Sequence, residues 1–371
     1  MQNLKLKLQL FSVMAAVAAT ALFLPPASAL ADTGGSKPAA QRGKSLGAVE
    51  TEYPGWFHNG FLDINEDIAT ANSAGKRLMI LFTQDGCPYC NALVERNLAQ
   101  QDIEELVRSK FEVVALNIVG DREVTDVDGK NYTEKTFAAT LKVQFTPTIL
   151  FFNEKGEIIL RLNGYLPPDQ FKIALNYVVE KNEQLSFSDF VELNAPPPQA
   201  GKLNQEPFFL APPYKLSRKA GGKARPMAVF FEQKDCPNCD VLHHKVLADA
   251  ETRQLIAQYD AVQLDMWDKT TAITTPQGKR STAREWAREL DVKYAPTIIL
   301  FDAGGREIIR SEAFFKLFHT QSLLDYVQSG AYKQQPNFQR YISHRSEQRR
   351  EQGRDVDIWG MGDEAAGQKA Q

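Results

Sequence analysis

Three things are scarce in this sequence, and each scarcity excludes something. Net charge is one: 43 Lys and Arg against 46 Asp and Glu leave a formal −3, without the basic surplus that a nucleic-acid footprint requires. Long apolar runs are another, since beyond residue 31 nothing approaches the roughly 18 apolar residues of a membrane span. Cysteine is the third. The chain of 371 residues has four, and all lie in two pairs, Cys87/Cys90 and Cys236/Cys239. A disulfide within such a pair closes almost no loop and removes little chain entropy. The pairs therefore point to chemistry rather than to stapling.

What remains is the composition of an ordinary soluble protein, 43% hydrophobic and 24% charged, long enough for two or three domains. Its N-terminus differs in kind. Lys5 and Lys7 precede an apolar run from Leu8 to Leu24, then Pro25-Pro26-Ala27-Ser28-Ala29-Leu30-Ala31. This is the pattern of a secretory signal peptide over 1–31, cleaved after Ala29 or Ala31; an uncleaved anchor is the alternative, and the run is barely long enough. No stable membrane anchor is expected after cleavage. Residues 32–59, rich in small and polar residues at their start, read as a tether.

The next stretch sets the architecture. A short helix capped by Asp63 or Asn65 and stopped by Gly75 is expected first. A buried strand over 78–83 leads into Cys87-Pro88-Tyr89-Cys90, and a helical pattern runs from Leu93 to Val107. Strands follow at 111–118, 145–152 and 158–162, with helices at 136–141 and 171–179. This order, β-α-β-α-β-β-α, implies an α/β fold: a mixed sheet flanked by helices. Proline and glycine from 186 onward mark a linker over 186–207, with Phe208, Phe209 and Leu210 expected to dock on the domain that follows.

That second domain repeats the first. Cys87 to Pro147 spans 60 positions, as does Cys236 to Pro296, and an offset of 149 also carries Gly129 to Gly278, Thr148 to Thr297, Gly156 to Gly305 and Arg161 to Arg310. The chain is a tandem duplication, with domains over 60–185 and 208–332. A polar helix and tail fill 333–371, in which the Trp359 region reads as a docking patch.

A cysteine just ahead of a helix suits thiol-disulfide exchange, because free backbone N–H groups and the helix dipole favour its thiolate. Proline at the next position loses nothing by lacking an N–H. The second cysteine is near enough to attack a mixed disulfide formed by the first. Cys87 and Cys236 are thus candidate nucleophiles, Cys90 and Cys239 the resolving thiols. The dipole contributes at most about 2 kcal/mol, roughly 1.5 pK units at ~1.36 kcal/mol each, so direct hydrogen bonds must supply any stronger acidification. Zinc is the competing reading. It expects the two pairs within about 15–20 residues of each other or a nearby His pair, whereas 145 residues separate them here. His243, four positions after Cys239, reads as a packing histidine rather than as a ligand or base.

The C-P-x-C pair after a strand, with Thr146-Pro147 or Ala295-Pro296 heading a later apolar strand, resembles the thioredoxin-fold family. The resemblance covers both repeats and implies that these prolines are cis, and that the two dipeptides meet substrate backbone beside the cysteines. Tyr89 is placed with them as a substrate contact. Asp85-Gly86-Cys87-Pro88-Tyr89-Cys90, Phe230-Phe231-Glu232-Gln233 and Leu264-Asp265-Met266-Trp267 are further similar to the secreted thioredoxin-like reductases of bacterial sulfur-oxidation gene clusters. Two departures stand out. Gly86 and Asp235 replace the usual Trp, and Leu81 and Phe230 stand where a buried acid is expected.

The expectation is a periplasmic protein-disulfide reductase that needs no cofactor. Its partners would be disulfide-containing periplasmic proteins and a membrane thiol donor, since that compartment is kept oxidising. An isomerase or oxidase, favoured by Pro-Tyr between the cysteines, and a non-catalytic binding module stay open.

Overall fold

The computed structural model describes residues 41–361 except 59, 61, 182, 196–199, 220 and 222–223. The expected signal peptide and the last ten residues lie outside these. Asp63 opens the first repeat as anticipated. Its carboxylate accepts the N–H groups of Asn65 at 3.0 Å and Glu66 at 3.1 Å and so caps α1 (Ile64–Ser73). Strand β1 (Arg77–Thr83) follows, buried along its whole length. It pairs in parallel with β2 (Phe111–Asn117) and antiparallel with β3 (Thr148–Phe152), beyond which lies β4 (Ile158–Asn163). The order β2-β1-β3-β4 puts β1 and β3 at the centre, where burial on both faces explains their unbroken apolar runs.

Helix α2 (Pro88–Ala92) runs on through a π-helical turn at Leu93–Leu98, then α3 (Gln101–Lys110), so the single helical pattern read from the sequence is broken in two. Helices α4 (Glu134–Thr140) and α5 (Pro168–Val179) complete the repeat. Strand β3 starts three residues later than expected, because Pro147 has no N–H to give a ladder.

A segment expected to be extended linker contains helix α6 (Phe187–Asn194). Ser186 caps it by accepting the N–H of Asp189 at 3.2 Å, and Phe187, Phe190 and Val191 are buried. Burial of this face outweighs the proline-rich surroundings. Phe209 docks as expected, its ring 5.2 Å from Phe230, whereas Leu210 docks only through its backbone, its N–H reaching the Ala261 carbonyl at 2.9 Å while its side chain stays exposed.

The second repeat carries β5 (Met227–Glu232), α7 (Pro237–Val241) with its own π-helical turn at Leu242–Leu247, α8 (Ala250–Ile256) and β6 (Asp260–Asp265). Then come α9 (Ala283–Glu289), β7 (Thr297–Phe301), β8 (Glu307–Ser311) and α10 (Leu317–Gln328). The sheet order β6-β5-β7-β8 copies the first. Helices α2 and α7, α4 and α9, and α5 and α10 each begin 149 positions apart, the offset read from the sequence.

The repeats meet just beyond the ends of β4 and β8. Asn163 Nδ2 donates to Glu312 Oε2 at 2.8 Å, and a side chain at Gly164 would come within 2.9 Å of the Ala313 Cβ. Helix α11 (Phe338–Glu351) covers both repeats. Its fully buried Phe338 packs on Phe145 of the first repeat, 5.4 Å between centroids, and on Tyr326 of the second, 5.1 Å. The expected tether is in part structured: Ser45–Leu46 pairs in parallel with Val356–Asp357, and Lys44 N–H donates to Asp355 at 2.7 Å. Backbone pairing between the two ends of the described chain has no local sequence signature.

Phe338→Ala removes a ring shared by both repeats and leaves a cavity between them. A loss of about 3–5 kcal/mol is expected, measured as a lowered urea midpoint.

Candidate active sites

Each cysteine pair sits where a central strand gives way to a helix. In the first repeat the chain leaves β1, turns at Gly86 with φ +70°, and enters α2 through Cys87, which is its N-cap. The second repeat makes this turn at Asp235, φ +48°, a residue type that tolerates the left-handed region better than most. Cys87 Sγ accepts the Cys90 N–H at 3.1 Å, and Cys236 Sγ accepts the Cys239 N–H at the same 3.1 Å. These are the direct hydrogen bonds that the dipole alone does not replace. Pro88 and Pro237 take the first helical position. Both pairs are joined as disulfides. Cys90 and Cys239 are buried at 0% and 1% exposure while Cys87 and Cys236 keep 7% and 6%, which fits the first cysteine of each pair meeting a substrate.

The two dipeptides singled out from the sequence come to these sulfurs. Both Thr146-Pro147 and Ala295-Pro296 are cis. Thr146 is beside Cys87, its carbonyl oxygen 3.6 Å and its hydroxyl 3.4 Å from Sγ; Ala295 has no hydroxyl to offer. A threonine after each proline holds the loop, Thr148 Oγ1 donating to Phe145 O at 2.8 Å and Thr297 Oγ1 to Tyr294 O at 2.7 Å. These two threonines were visible only as repeat matches.

Tyr89 is placed differently from its expected role as a substrate contact. It is buried, and its hydroxyl oxygen accepts the backbone N–H of Lys316 at 2.9 Å. Its ring lies 5.9 Å from Phe315, 5.3 Å from His319 and 5.0 Å from Trp359. Burial pushes its phenol well above the ordinary value, against the opposing Lys316 bond. Tyr89 thus joins the first site to the second repeat and to the C-terminal segment. Trp359 docks there as the sequence anticipated, with Lys316 Nζ 3.7 Å from its ring centroid. His319 Nδ1 is buried with no hydrogen-bond partner, and burial pulls the imidazole down to about 4.

The interior of the second repeat holds a charged group that the first lacks. Leu81 and Phe230, where an acid was sought, are both fully buried apolar residues. Glu232, two positions further on and also fully buried, meets His243 Nε2 at 3.0 Å, while His243 Nδ1 meets Glu206 at 3.2 Å. Burial alone lowers the His243 pKa, but the bonds and charges of Glu232 and Glu206 reverse this and raise it above its ordinary value. In the first repeat, Thr83 and Val94 occupy the matching positions. Periodicity hid Glu232 because it ends an apolar strand.

With this geometry established, relatives give it a class. A family model described as a thioredoxin-like domain matches residues 64–179 and again 215–328, well over half the chain. The protein belongs to the thioredoxin-like domain family and carries the domain twice. No curated protein matches it. Among solved structures, it is similar to a thioredoxin-fold protein from Helicobacter pylori (21% identity, 32% of this chain and 84% of that one, TM-score 0.29). Others are a Thermus thermophilus thioredoxin (25%, 33% and 87%, TM-score 0.27) and the oxidised C-terminal domain of Neisseria meningitidis DsbD (16%, 34% and 98%, TM-score 0.24). A thioredoxin-like fold with a C-x-x-C pair at the head of the helix after its central strand has the machinery for thiol-disulfide exchange, and this chain has two.

Two outcomes are expected. Thr146→Ala removes a donor to the Cys87 thiolate; a charge-assisted bond of about 1.5–3 kcal/mol corresponds to about one to two pK units at ~1.36 kcal/mol each. The Cys87 pKa, read from alkylation rate against pH, should rise by that much, whereas Thr146→Ser should retain most of the wild-type value. For His319, a folded pKa below the unfolded 6.5 means that its contribution to stability is complete above pH 6.5 and is lost as pH falls toward 4. His319→Gln should flatten the decline of Tm across that window; an unchanged slope would assign the decline to other groups.

Proposed function

We propose that this protein is a secreted thiol-disulfide oxidoreductase of the bacterial periplasm that reduces disulfides in partner proteins, with electrons supplied by a membrane thiol donor. The observation that carries the chemistry is the placement of Cys87 Sγ within reach of both the Cys90 N–H and the Thr146 hydroxyl. Those donors favour a thiolate at the more exposed sulfur, and the buried partner sulfur is positioned to resolve a mixed disulfide. The export pattern at 1–31 supports the compartment. Among the described residues no helix is long and apolar enough to cross a membrane. The phrases around Cys87, Phe230 and Leu264 support a kinship with the reductases of sulfur-oxidation clusters.

Pro-Tyr between the first cysteines is the feature that favours an isomerase or oxidase. Tyr89 is committed to packing against the second repeat, so its identity has a structural cause independent of redox direction. That leaves the reductase reading in front.

Thiol trapping in cells tests the direction. A reductase should be captured with Cys87-Cys90 and Cys236-Cys239 mostly as dithiols; mostly oxidised pairs would make the protein an oxidase or isomerase. Cys87→Ser combined with Cys236→Ser should abolish insulin reduction by the prereduced protein, and a phenotype that survives this double change would indicate a binding module instead.

A further inference from the structure

The two cysteine pairs are alike in local geometry and in the burial of the first cysteine, but differ in what flanks it. Around Cys236 the surface is open: Pro237 is exposed and Asn238 partly so. At the matching positions Pro88 and Tyr89 are both buried. Cys87 itself lies in a recess of about 200 Å³. Its walls come from four separate parts of the chain: Thr146 beside the sulfur, Phe315 and His319 from the second repeat, Ser343 from α11, and Ile358 next to Trp359.

Several interactions hold these walls together. Trp359 sits against Tyr89 with the Lys316 ammonium over its ring. The segment bearing it is tied down by the strand pairing of Val356–Asp357 with Ser45–Leu46. On the other side, Val49 N–H donates to the Gly86 carbonyl at 3.3 Å, one residue before the nucleophile. Both ends of the described chain thus converge on the rim of the first site.

We infer that the first site is built for disulfides of amino-acid size, such as cystine, while the open second site takes protein disulfides. A folded partner must lay several residues of backbone along the Thr146-Pro147 loop to present its disulfide, and the recess offers less volume than the ~300–1,000 Å³ of a typical ligand site. Its chemistry suits a small zwitterion. Hydroxyl and amide groups of Thr146, Ser343, Gln84 and Gln339 line it with aromatic Phe145 and Phe315, and among the described residues Asp85 is the one carboxylate in its lining.

This inference rests on the proposed disulfide exchange, and the step balances within it. The Cys87 thiolate attacks one sulfur of R–S–S–R, forming a Cys87–S–R bond and releasing RS⁻, which takes a proton from water. The Cys90 thiolate then attacks Cys87 Sγ and releases the second RS⁻. Two electrons pass from the protein dithiol to the small disulfide, and the Cys87–Cys90 disulfide of the present structure is left.

Two full-chain variants separate the sites: Cys236→Ser with Cys239→Ser keeps only the first, and Cys87→Ser with Cys90→Ser keeps only the second. Each is prereduced with dithiothreitol, freed of it, and mixed in single turnover with cystine or with insulin. The first-site variant should oxidise with cystine but show an insulin-to-cystine rate ratio about 10- to 100-fold below that of the second-site variant. That is the factor by which packing of one large aromatic side chain lowers the open population. Adding Trp359→Ala to the first-site variant should restore insulin reduction by about tenfold or more. Equal ratios for the two sites would overturn the size selection while leaving disulfide exchange intact. No gain on Trp359→Ala would overturn the role of the C-terminal segment. If neither variant reacts with cystine or insulin, the oxidoreductase reading itself fails.

Discussion

One hydrogen bond, from the Lys316 backbone to the Tyr89 hydroxyl, marks the point on which this molecule closes. A buried phenol needs a partner, and this one finds it across 227 residues of chain. Around that bond Phe315, His319 and Trp359 complete an aromatic cluster against the first cysteine pair. The repeats cannot swing apart without exposing this aromatic cluster to water and giving up the bond, which contributes about 0.5–1.5 kcal/mol on its own. The duplication is therefore not two beads on a string. Its first site is partly made of its second repeat.

The second repeat spends its interior differently. Glu232, His243 and Glu206 form a buried chain of charge where the first has Thr83 and Val94. Such a group is weak evidence for stability, because desolvation takes back much of what pairing yields, but removing one member leaves the others uncompensated. Its consequence is asymmetry: the second repeat buries charge at positions where the first has Thr83 and Val94, while Cys236 and Cys239 themselves pack in an apolar cluster with Val229 and Phe231. With Ala295 for Thr146, and an open flank for an enclosed one, the repeats share a scaffold while differing in the environment of every sulfur.

Much of the fold was legible, for a definite reason. Central strands buried on both faces must be continuously apolar, so β1, β3, β5 and β7 announce themselves, and proline limits where β3 can begin. Asp63 and Gly75 bracket α1 because capping is local chemistry. The errors fall where packing overrode composition. Phe187, Phe190 and Val191 make a helix out of a segment whose prolines suggested extension, and Ser45–Leu46 is ordered only because Val356–Asp357 passes beside it.

The sequence by itself determined the duplication, the strand and helix order and the two cysteine pairs, because all of these follow from local spacing and from one ungapped offset of 149; that Thr146-Pro147 and Ala295-Pro296 meet the cysteines was implied by the family resemblance. Only the tertiary structure decided that Tyr89 faces protein rather than substrate, that Glu232 is paired with His243, and that the ends of the described residues gather beside Cys87. Those outcomes depend on contacts between residues far apart in the chain, whose formation is driven by burial of area rather than by any periodic pattern. Such contacts leave no mark in the sequence on either side of them.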